Sequence, residues 1–154
     1  VPDPSLDQIN DSLRVQAALE ALAGELACAV ASDTQLADIE RINASITEAR
    51  DSKGQLEAFR RDMAFHQAIV AAAGNAALAE THATYNARLW RVRFLSSQRD
   101  AGRDATRREH LDIVEALKAR DQQATMQALK EHLRTAEVNI AAARAEYEQS
   151  RGTE

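Results

Sequence analysis

The chain has 154 residues, of which 45% are hydrophobic and 28% are charged, and this is the composition of an ordinary globular domain. Its 2 prolines and 5 glycines are too few for the closely spaced turns of a β-sandwich or barrel, and its 1 cysteine excludes a disulfide framework. The net charge of −5 argues against direct contact with a nucleic-acid backbone. No apolar run is long enough to span a bilayer and no signal peptide is visible, so we expect a cytoplasmic protein without membrane contacts.

Helical periodicity dominates the sequence, and capping residues and glycines divide it into six predicted helices. Their expected bounds are 10–31, 35–51, 55–73, 76–98, 103–120 and 122–149, after an irregular lead-in at residues 1–9. Because the connecting segments are short, neighbouring helices are expected to run antiparallel. The sequence therefore predicts an all-α domain over residues 10–150, built as an antiparallel bundle of six to seven helices.

The third helix places two polar residues, Asp62 and His66, on the face that the core should occupy. The two residues are four positions apart, so their side chains share one helix face. A buried carboxylate is costly unless a cation or several hydrogen-bond donors compensate it. Two interpretations follow: either Asp62 and His66 form a hydrogen-bonded pair inside a satisfied core, or they belong to a larger ligand set.

The last two helices each carry one inward-facing histidine. His110 precedes Asp121 by eleven residues and His132 follows it by eleven, so the two imidazoles are level if Asp121 marks the tip of a hairpin. Taken singly, each histidine fits the role of a lone core histidine as well as it fits the role of a metal ligand. Together with Asp62 and His66 they form a set of three imidazoles and one carboxylate. Such a set suits a divalent transition ion, with zinc favoured and nickel, manganese or iron as alternatives.

These residues resemble the motifs of a known family. The segments 61–66 and 72–75 resemble the Asp-x-x-x-His…Ala-Gly-Asn signature of the FCD domain, the FadR-type C-terminal ligand-binding domain of GntR-family transcription regulators. The segment 109–133 resembles the closing hairpin of that family, with its two histidines at the same separation. The segment 19–27 resembles its first helix, and the resemblance extends from about residue 10 to residue 140.

The resemblance implies a helical domain that binds a metal in its core through four side chains and takes a small organic acid as its effector, on or beside the metal. The implied metal ligands are Asp62, His66, His110 and His132. It also implies a homodimer that binds operator DNA through an N-terminal winged helix-turn-helix domain. This chain carries no such domain, so we expect residues 1–9 to be the linker from one that would precede Val1.

The fourth helix is the expected source of effector contacts. It carries Arg88, Arg91 and Arg93, and an arginine fork binds a carboxylate in a bidentate manner. The resemblance favours Arg88 as the effector contact, with Tyr85 beside it on the same helix. The alternative for each arginine is a solvated face or a dimer surface.

Two further residues concern the effector site. His82 does not match a ligand position of the family, and it is either a hydrogen-bonded pocket or core histidine or a fifth metal ligand. Gln16 occupies a position of the first helix at which many members of the family have an arginine, so the preferred effector is expected to differ. The charged run 107–109 is expected on the surface.

Three functions are consistent with these patterns. The first is the effector-sensing domain of a transcription regulator, in which a metal and an acid control operator binding by the full-length dimer. The second is a metal-dependent enzyme with a site of three histidines and one aspartate, although no additional inward carboxylate provides a general base. The third is a structural helical module whose site no longer binds metal.

Overall fold

Six helices account for nearly all of residues 3–153, the part of the chain that the computed structural model describes. They are α1 (Leu6–Val30), α2 (Asp33–Lys53), α3 (Gln55–Ala72), α4 (Ala76–Ser97), α5 (Arg103–Lys118) and α6 (Gln122–Arg151). The described range contains no strand, and the all-α fold that the periodicity predicts is confirmed. Within the same range, no helix combines the length and the apolar character of a membrane span.

Helix α1 begins at Leu6, so the expectation of an irregular lead-in at residues 1–9 is wrong for residues 6–9. Ser5 caps the helix: its hydroxyl accepts from the backbone N–H of Gln8, and the Gln8 side chain accepts from the backbone N–H of Ser5. This reciprocal capping box satisfies two donors at the helix start. The extra turn also buries Ile9 in the core. Val1 and Pro2, the first two residues of the expected lead-in, lie outside the described residues.

The remaining helix ends lie close to their predicted positions. Ser32 caps α2 with a second capping box, in which its partner is Gln35. Only Gly54 separates α2 from α3, and its φ of 93° is in the region that glycine adopts without strain. Gly102, with a φ of 89°, precedes α5 in the same way.

Side-chain contacts establish the antiparallel order of the helices. Near one end of the α1–α6 pair Cys28 contacts Thr125 at 3.2 Å, and further along Arg14 of α1 pairs with Glu137 of α6 at 3.3 Å. In the hairpin formed by α5 and α6, Asp121 lies at the tip and its carboxylate accepts from the N–H of Ala124. The prediction that Asp121 caps the last helix is confirmed.

Arg120, at the same tip, fastens the hairpin to the corner between α1 and α2. Its φ of 53° is left-handed, which lets the chain reverse at the end of α5. Its guanidinium donates to the carbonyl oxygens of Cys28 (3.1 Å) and Ala31 (2.7 Å) and to the carboxylate of Asp33 (3.1 Å). Three helices are therefore joined at one residue.

The core consists of two apolar clusters with a layer of buried polar side chains between them. The larger cluster contains residues of all six helices, and the smaller one joins α1, α4 and α6 through Ile9, Leu13, Leu89, Leu133 and Ile140. Along α1, Gln16 and Glu20 lie between residues of the two clusters and are almost inaccessible to solvent. The histidines of α3, α4, α5 and α6 are buried as well. This arrangement places the site inside the bundle.

Helices α1 and α6 pack tightly against each other at Gly24. A Cβ atom at this position would lie 2.5 Å from Cδ1 of Leu129 and 2.7 Å from Cγ2 of Thr125. Leu129 can move its flexible end, but the β-branched Thr125 is fixed by hydrogen bonds to Cys28 and to the carbonyl of Asp121. The glycine is therefore required by packing, since its own φ is helical.

We expect Gly24→Ala to lower the free energy of unfolding by about 1–3 kcal/mol, because the cost of overpacking exceeds the gain in helix propensity of about 1 kcal/mol. Urea denaturation followed by circular dichroism measures the difference. Gly152→Ala, at an exposed position with no atom nearer than 3.7 Å, is the matched control and should change the stability little. A more stable Gly24→Ala variant would contradict the packing argument.

Candidate metal-binding site

Three histidine rings from three different helices converge in the polar layer. His66 comes from α3, His110 from α5 and His132 from α6, and one ring nitrogen from each lies within 4.8 Å of the others. Nε2 of His110 is 3.1 Å from Nε2 of His132, as the equal spacing of these residues from Asp121 predicts. All three side chains are buried.

Asp62 completes the group. Its Oδ1 atom is 3.3 Å from Nε2 of His66, one turn along α3, and 3.4 Å from Nε2 of His110 across the helix interface. The structure therefore brings together all four residues that the sequence analysis singled out as metal ligands. The local spacing in α3 and the symmetry of the α5–α6 hairpin are sufficient to place them.

Each of the three imidazoles is oriented by a hydrogen bond from its Nδ1 atom to a side-chain oxygen on another helix. The pairs are His66 with Glu20, His110 with Asn43 at 3.0 Å, and His132 with Glu109 at 3.0 Å. Because these oxygens only accept, every Nδ1 carries a proton, and every Nε2 is turned toward the centre. Oxygen partners of this kind fix the tautomer and orientation of metal-binding histidines in proteins.

Several atoms at the centre are left without hydrogen-bond partners. Oδ1 of Asp62 and Nε2 of His66 are buried, and neither has a partner among the described residues. Nε2 of His110 and Nε2 of His132 face each other, although the bonds at Nδ1 leave neither nitrogen a proton to share when the rings are neutral. Buried polar atoms are normally paired. A divalent cation at the centre would be coordinated by the Asp62 oxygen and the three Nε2 atoms, so this set of ligand atoms fits such an ion.

The electrostatics of the group follow from burial and mutual charge. Burial alone would raise the pKa of the Asp62 and Glu20 carboxyls, but the neighbouring imidazoles and the guanidinium of Arg93 outweigh it and hold both pKa values well below their usual range. Burial alone would lower the pKa of His66, but the charge of Glu20, the Asp62 carboxylate 3.3 Å away and the hydrogen bond to Glu20 raise it to about 9. Burial and the nearby His132 hold the pKa of His110 well below its usual range, although Asp62 opposes them.

Glu20 and Glu109 are the functional residues that the sequence analysis missed. Glu20 lies on the inward face of α1, an acidic residue among apolar ones, and this is the signal that singled out Asp62 in α3. Glu109 was expected on the surface with its arginine neighbours, but it is largely buried and also accepts from the hydroxyl of Thr135. Its position next to His110 and across the hairpin from Thr135 is the signal that could have identified it.

His82 lies outside the group of three histidines. The amide of Gln16 donates to its Nε2 at 2.9 Å, and Oε2 of Glu20 is 3.4 Å from the same nitrogen. His82 is thus a buried histidine of α4 that is hydrogen-bonded to Gln16 and lies beside Glu20. Gln16 and His82, two of the four residues expected at the effector site, are buried in this network and do not line the cavity described next.

A cavity of about 710 Å³ opens beside the group, between α2, α3, α4, α5 and α6. Asp62, His110 and His132 form part of its wall, and so does Arg93, which is only 6% exposed. One nitrogen of the Arg93 guanidinium, Nη1, is buried without a hydrogen-bond partner among the described residues. The cavity therefore presents a buried cation next to the converging imidazoles.

The structure does not bring Arg88 and Tyr85 to this cavity. Arg88 is exposed, with its guanidinium 5.1 Å from the centre of the Tyr85 ring. The buried stripe of α4 runs through His82, Asn86, Leu89 and Arg93, and Arg88 is off that stripe. The helical phase of α4 therefore makes Arg93 the arginine that faces inward, and this corrects the expectation for Arg88.

Comparison with known proteins identifies the domain. The sequence profile of the FCD domain matches residues 11–135. The chain belongs to the FCD domain family. No sequence among the curated proteins matches it.

Two solved structures share the fold. E. coli McbR/YncC is 22% identical with a TM-score of 0.80, and the match covers 96% of this chain and 69% of that one. The metal-free FCD domain of TM0439, a candidate transcriptional regulator, is 21% identical with a TM-score of 0.76, and the match covers 95% of this chain and 100% of that one. The bundle of six helices is thus an established FCD architecture.

In this FCD domain, Glu20→Ala should lower the stability of the metal-free protein by about 3–5 kcal/mol, because it leaves the charged His66 without its buried partner. Urea denaturation in the presence of EDTA measures the loss. Glu48→Ala, at an exposed helical position, is the control and should change the stability by no more than about 0.5 kcal/mol. Equal losses in the two variants would show that the Glu20–His66 pair contributes nothing specific.

Proposed function

We propose that this FCD domain is the effector-sensing part of a GntR-family DNA-binding transcription regulator, and that it binds a divalent metal ion and a small carboxylic acid. The observation that carries the proposal is the convergence of three Nε2 atoms and one carboxylate. The Nδ1 atom of each imidazole is hydrogen-bonded to a side-chain oxygen. His66, His110, His132 and Asp62 are the ligands. Zinc is favoured by a set of three nitrogens and one oxygen, and nickel, manganese and iron suit it as well.

The metal would supply a Lewis-acidic contact for the carboxylate of the effector. The residues of this chain do the rest: Arg93 offers a buried guanidinium for the same carboxylate, and the Nδ1 partners keep the imidazoles oriented. Asp62 offsets part of the charge of the ion in a poorly solvated site. The cavity beside the histidines gives the acid a place to bind.

A sensing role is better supported than an enzymatic one. A hydrolytic metal site requires a general base near the reacting groups. The two additional carboxylates that contact the histidines, Glu20 and Glu109, are hydrogen-bonded to imidazole nitrogens, and neither lines the cavity. An acid incubated with the metal-loaded domain should therefore be recovered unchanged by mass spectrometry. Conversion of the acid would favour the metalloenzyme instead.

The proposed regulation needs a homodimer and a DNA-binding domain. A ligand that binds one arrangement of the helices better than another shifts the population toward it, and this shift would alter the placement of two winged helix-turn-helix domains on operator DNA. The coding sequence upstream of Val1 tests this part of the proposal. It should encode a basic helix-turn-helix segment, and any other upstream sequence would contradict the regulatory role.

We expect Asp62→Ala, His66→Ala, His110→Ala and His132→Ala each to lose stoichiometric metal, since each removes one ligand from the group. Elemental analysis of the purified variants measures the content, and a metal-edge fluorescence scan identifies the ion. His82→Ala is the matched control, because His82 is equally buried but lies outside the group, and it should keep its metal. Retained metal in two of the four ligand variants, or loss from His82→Ala, would refute the assigned site.

A separate prediction concerns the residues that form hydrogen bonds with the proposed ligands. Glu109→Ala should weaken metal binding by roughly 10–100-fold, because it removes the acceptor that orients His132 without removing a ligand. Competition with a chromophoric chelator measures the affinity. Glu131→Ala, which removes an exposed carboxylate next to His132 in the sequence, should bind metal like the unaltered domain. Equal affinities for all three proteins would show that the orientation of His132 is set by packing alone.

A further inference from the structure

Three helices repeat the same spacing on the walls of the cavity. Each carries a residue at the metal-binding end and a polar residue seven positions away, and the pairs are His110 with Arg103 on α5, Asn43 with Arg50 on α2, and His132 with Asn139 on α6. Seven residues of α-helix correspond to two turns, or about 10 Å. The cavity therefore has a second polar end, roughly two turns from the histidines.

The second end is built around two arginines. Asn43 of α2 contacts His110 of α5, and the antiparallel order of these helices places Arg50 level with Arg103. On Arg103, Nη1 pairs with the exposed carboxylate of Asp100 at 2.7 Å, while Nε and Nη2 are buried without a partner among the described residues. Arg50 forms no ion pair within the described range, and burial together with the charge of Arg103 lowers its pKa, against the opposing effect of Asp62.

The start of α5 adds to the positive potential at this end. Gly102 precedes the helix and offers no side chain to cap it, so the first backbone N–H groups of α5 receive no side-chain acceptor. The N-terminus of a helix carries a partial positive charge and binds anions. Arg93, buried and with an unpartnered Nη1, lines the same cavity from α4.

The charge of the cavity differs from that of the whole chain. Its wall contains six cationic and four carboxylate side chains, whereas the chain has 19 lysines and arginines against 24 aspartates and glutamates. One of the carboxylates is Asp62, at the metal-binding end, and another, Glu40, is paired with Lys118 at 2.6 Å. Of the cations, Arg93 lies beside the histidines, whereas Arg50 and Arg103 lie at the second end, together with one carboxylate of the wall, Asp104.

We propose that Arg50 and Arg103 form a second anion subsite, and that the effector of this domain is an acid with two anionic groups. This inference rests on the proposed function, since the first anionic group is the one that binds beside the metal and Arg93. The second group binds between the two guanidiniums at the start of α5. Arg50 has no ion pair within the described range and Arg103 keeps two buried nitrogens without a partner, so an anion that pairs with both guanidiniums explains why these mutually repelling groups lie together.

Titration calorimetry on the zinc-loaded domain tests the subsite with matched pairs of acids. Succinate, glutarate and adipate each have a monocarboxylate of the same chain length: butyrate, pentanoate and hexanoate. At least one diacid should bind about tenfold or more tightly than its partner, because a second charge-assisted contact is added. Arg50→Gln and Arg103→Gln should abolish this preference and leave the affinity for the monocarboxylate unchanged. Arg108→Gln, on α5 but outside the cavity, should preserve the preference.

The outcomes separate the subsite from the proposed function. Equal affinity for diacids and monocarboxylates in the zinc-loaded domain overturns the subsite and leaves metal and acid binding intact. A preference that survives in both arginine variants also overturns it. If the domain binds no metal but still prefers diacids, and the arginine variants lose that preference, the subsite holds and the proposed metal site fails. The comparison in the unaltered domain does not depend on the folding of any variant.

Discussion

Charged and polar side chains buried between two apolar clusters are the constraint on which the rest of this bundle depends. Glu20, His66 and Asp62 are nearly inaccessible or largely buried, and removing such groups from water is expensive unless each is paired. The pairing comes from different helices: α1 supplies Glu20, α3 supplies Asp62 and His66, and α5 supplies His110, whose Nε2 lies 3.4 Å from Asp62. The helices must therefore pack in one register, because a shift by one residue would separate the partners. The same pairing leaves the Nε2 atoms of the histidines directed at a common centre.

The cavity is a consequence of how the helices meet around that centre. Helices α2 and α5 carry arginines at one end of the cavity and contact each other through Asn43 and His110 at the other. Between these ends, α4 contributes Arg93, which joins the metal-binding end to the cavity. A ligand there would lie between five helices, so its binding energy would depend on their relative placement. Binding of a small molecule would therefore shift the population of helix arrangements within a single bundle.

The four proposed metal ligands could be found from the sequence because their spacing is local. Asp62 and His66 are one turn apart, and the positions of His110 and His132 are symmetric about Asp121, which caps the next helix. Arg93 could not be found in this way, since the apolar residues of α4 are spread around the helix and Trp90 is exposed, so its sequence does not define which face is buried. Glu109 was obscured by the arginines before it. The cavity depends on contacts between helices that are distant in the sequence, and no local pattern contains them.

The attachment of Arg120 to the corner between α1 and α2 has a mechanical consequence. The hairpin that carries His110 and His132 is held at its tip by the three hydrogen bonds of Arg120. Near its open end, Glu146 of α6 accepts three more from Arg99, which follows α4. The two histidines lie about midway between these attachments. We therefore expect a ligand at the histidines to bend the middle of the hairpin against the other helices, since neither end is free to swing.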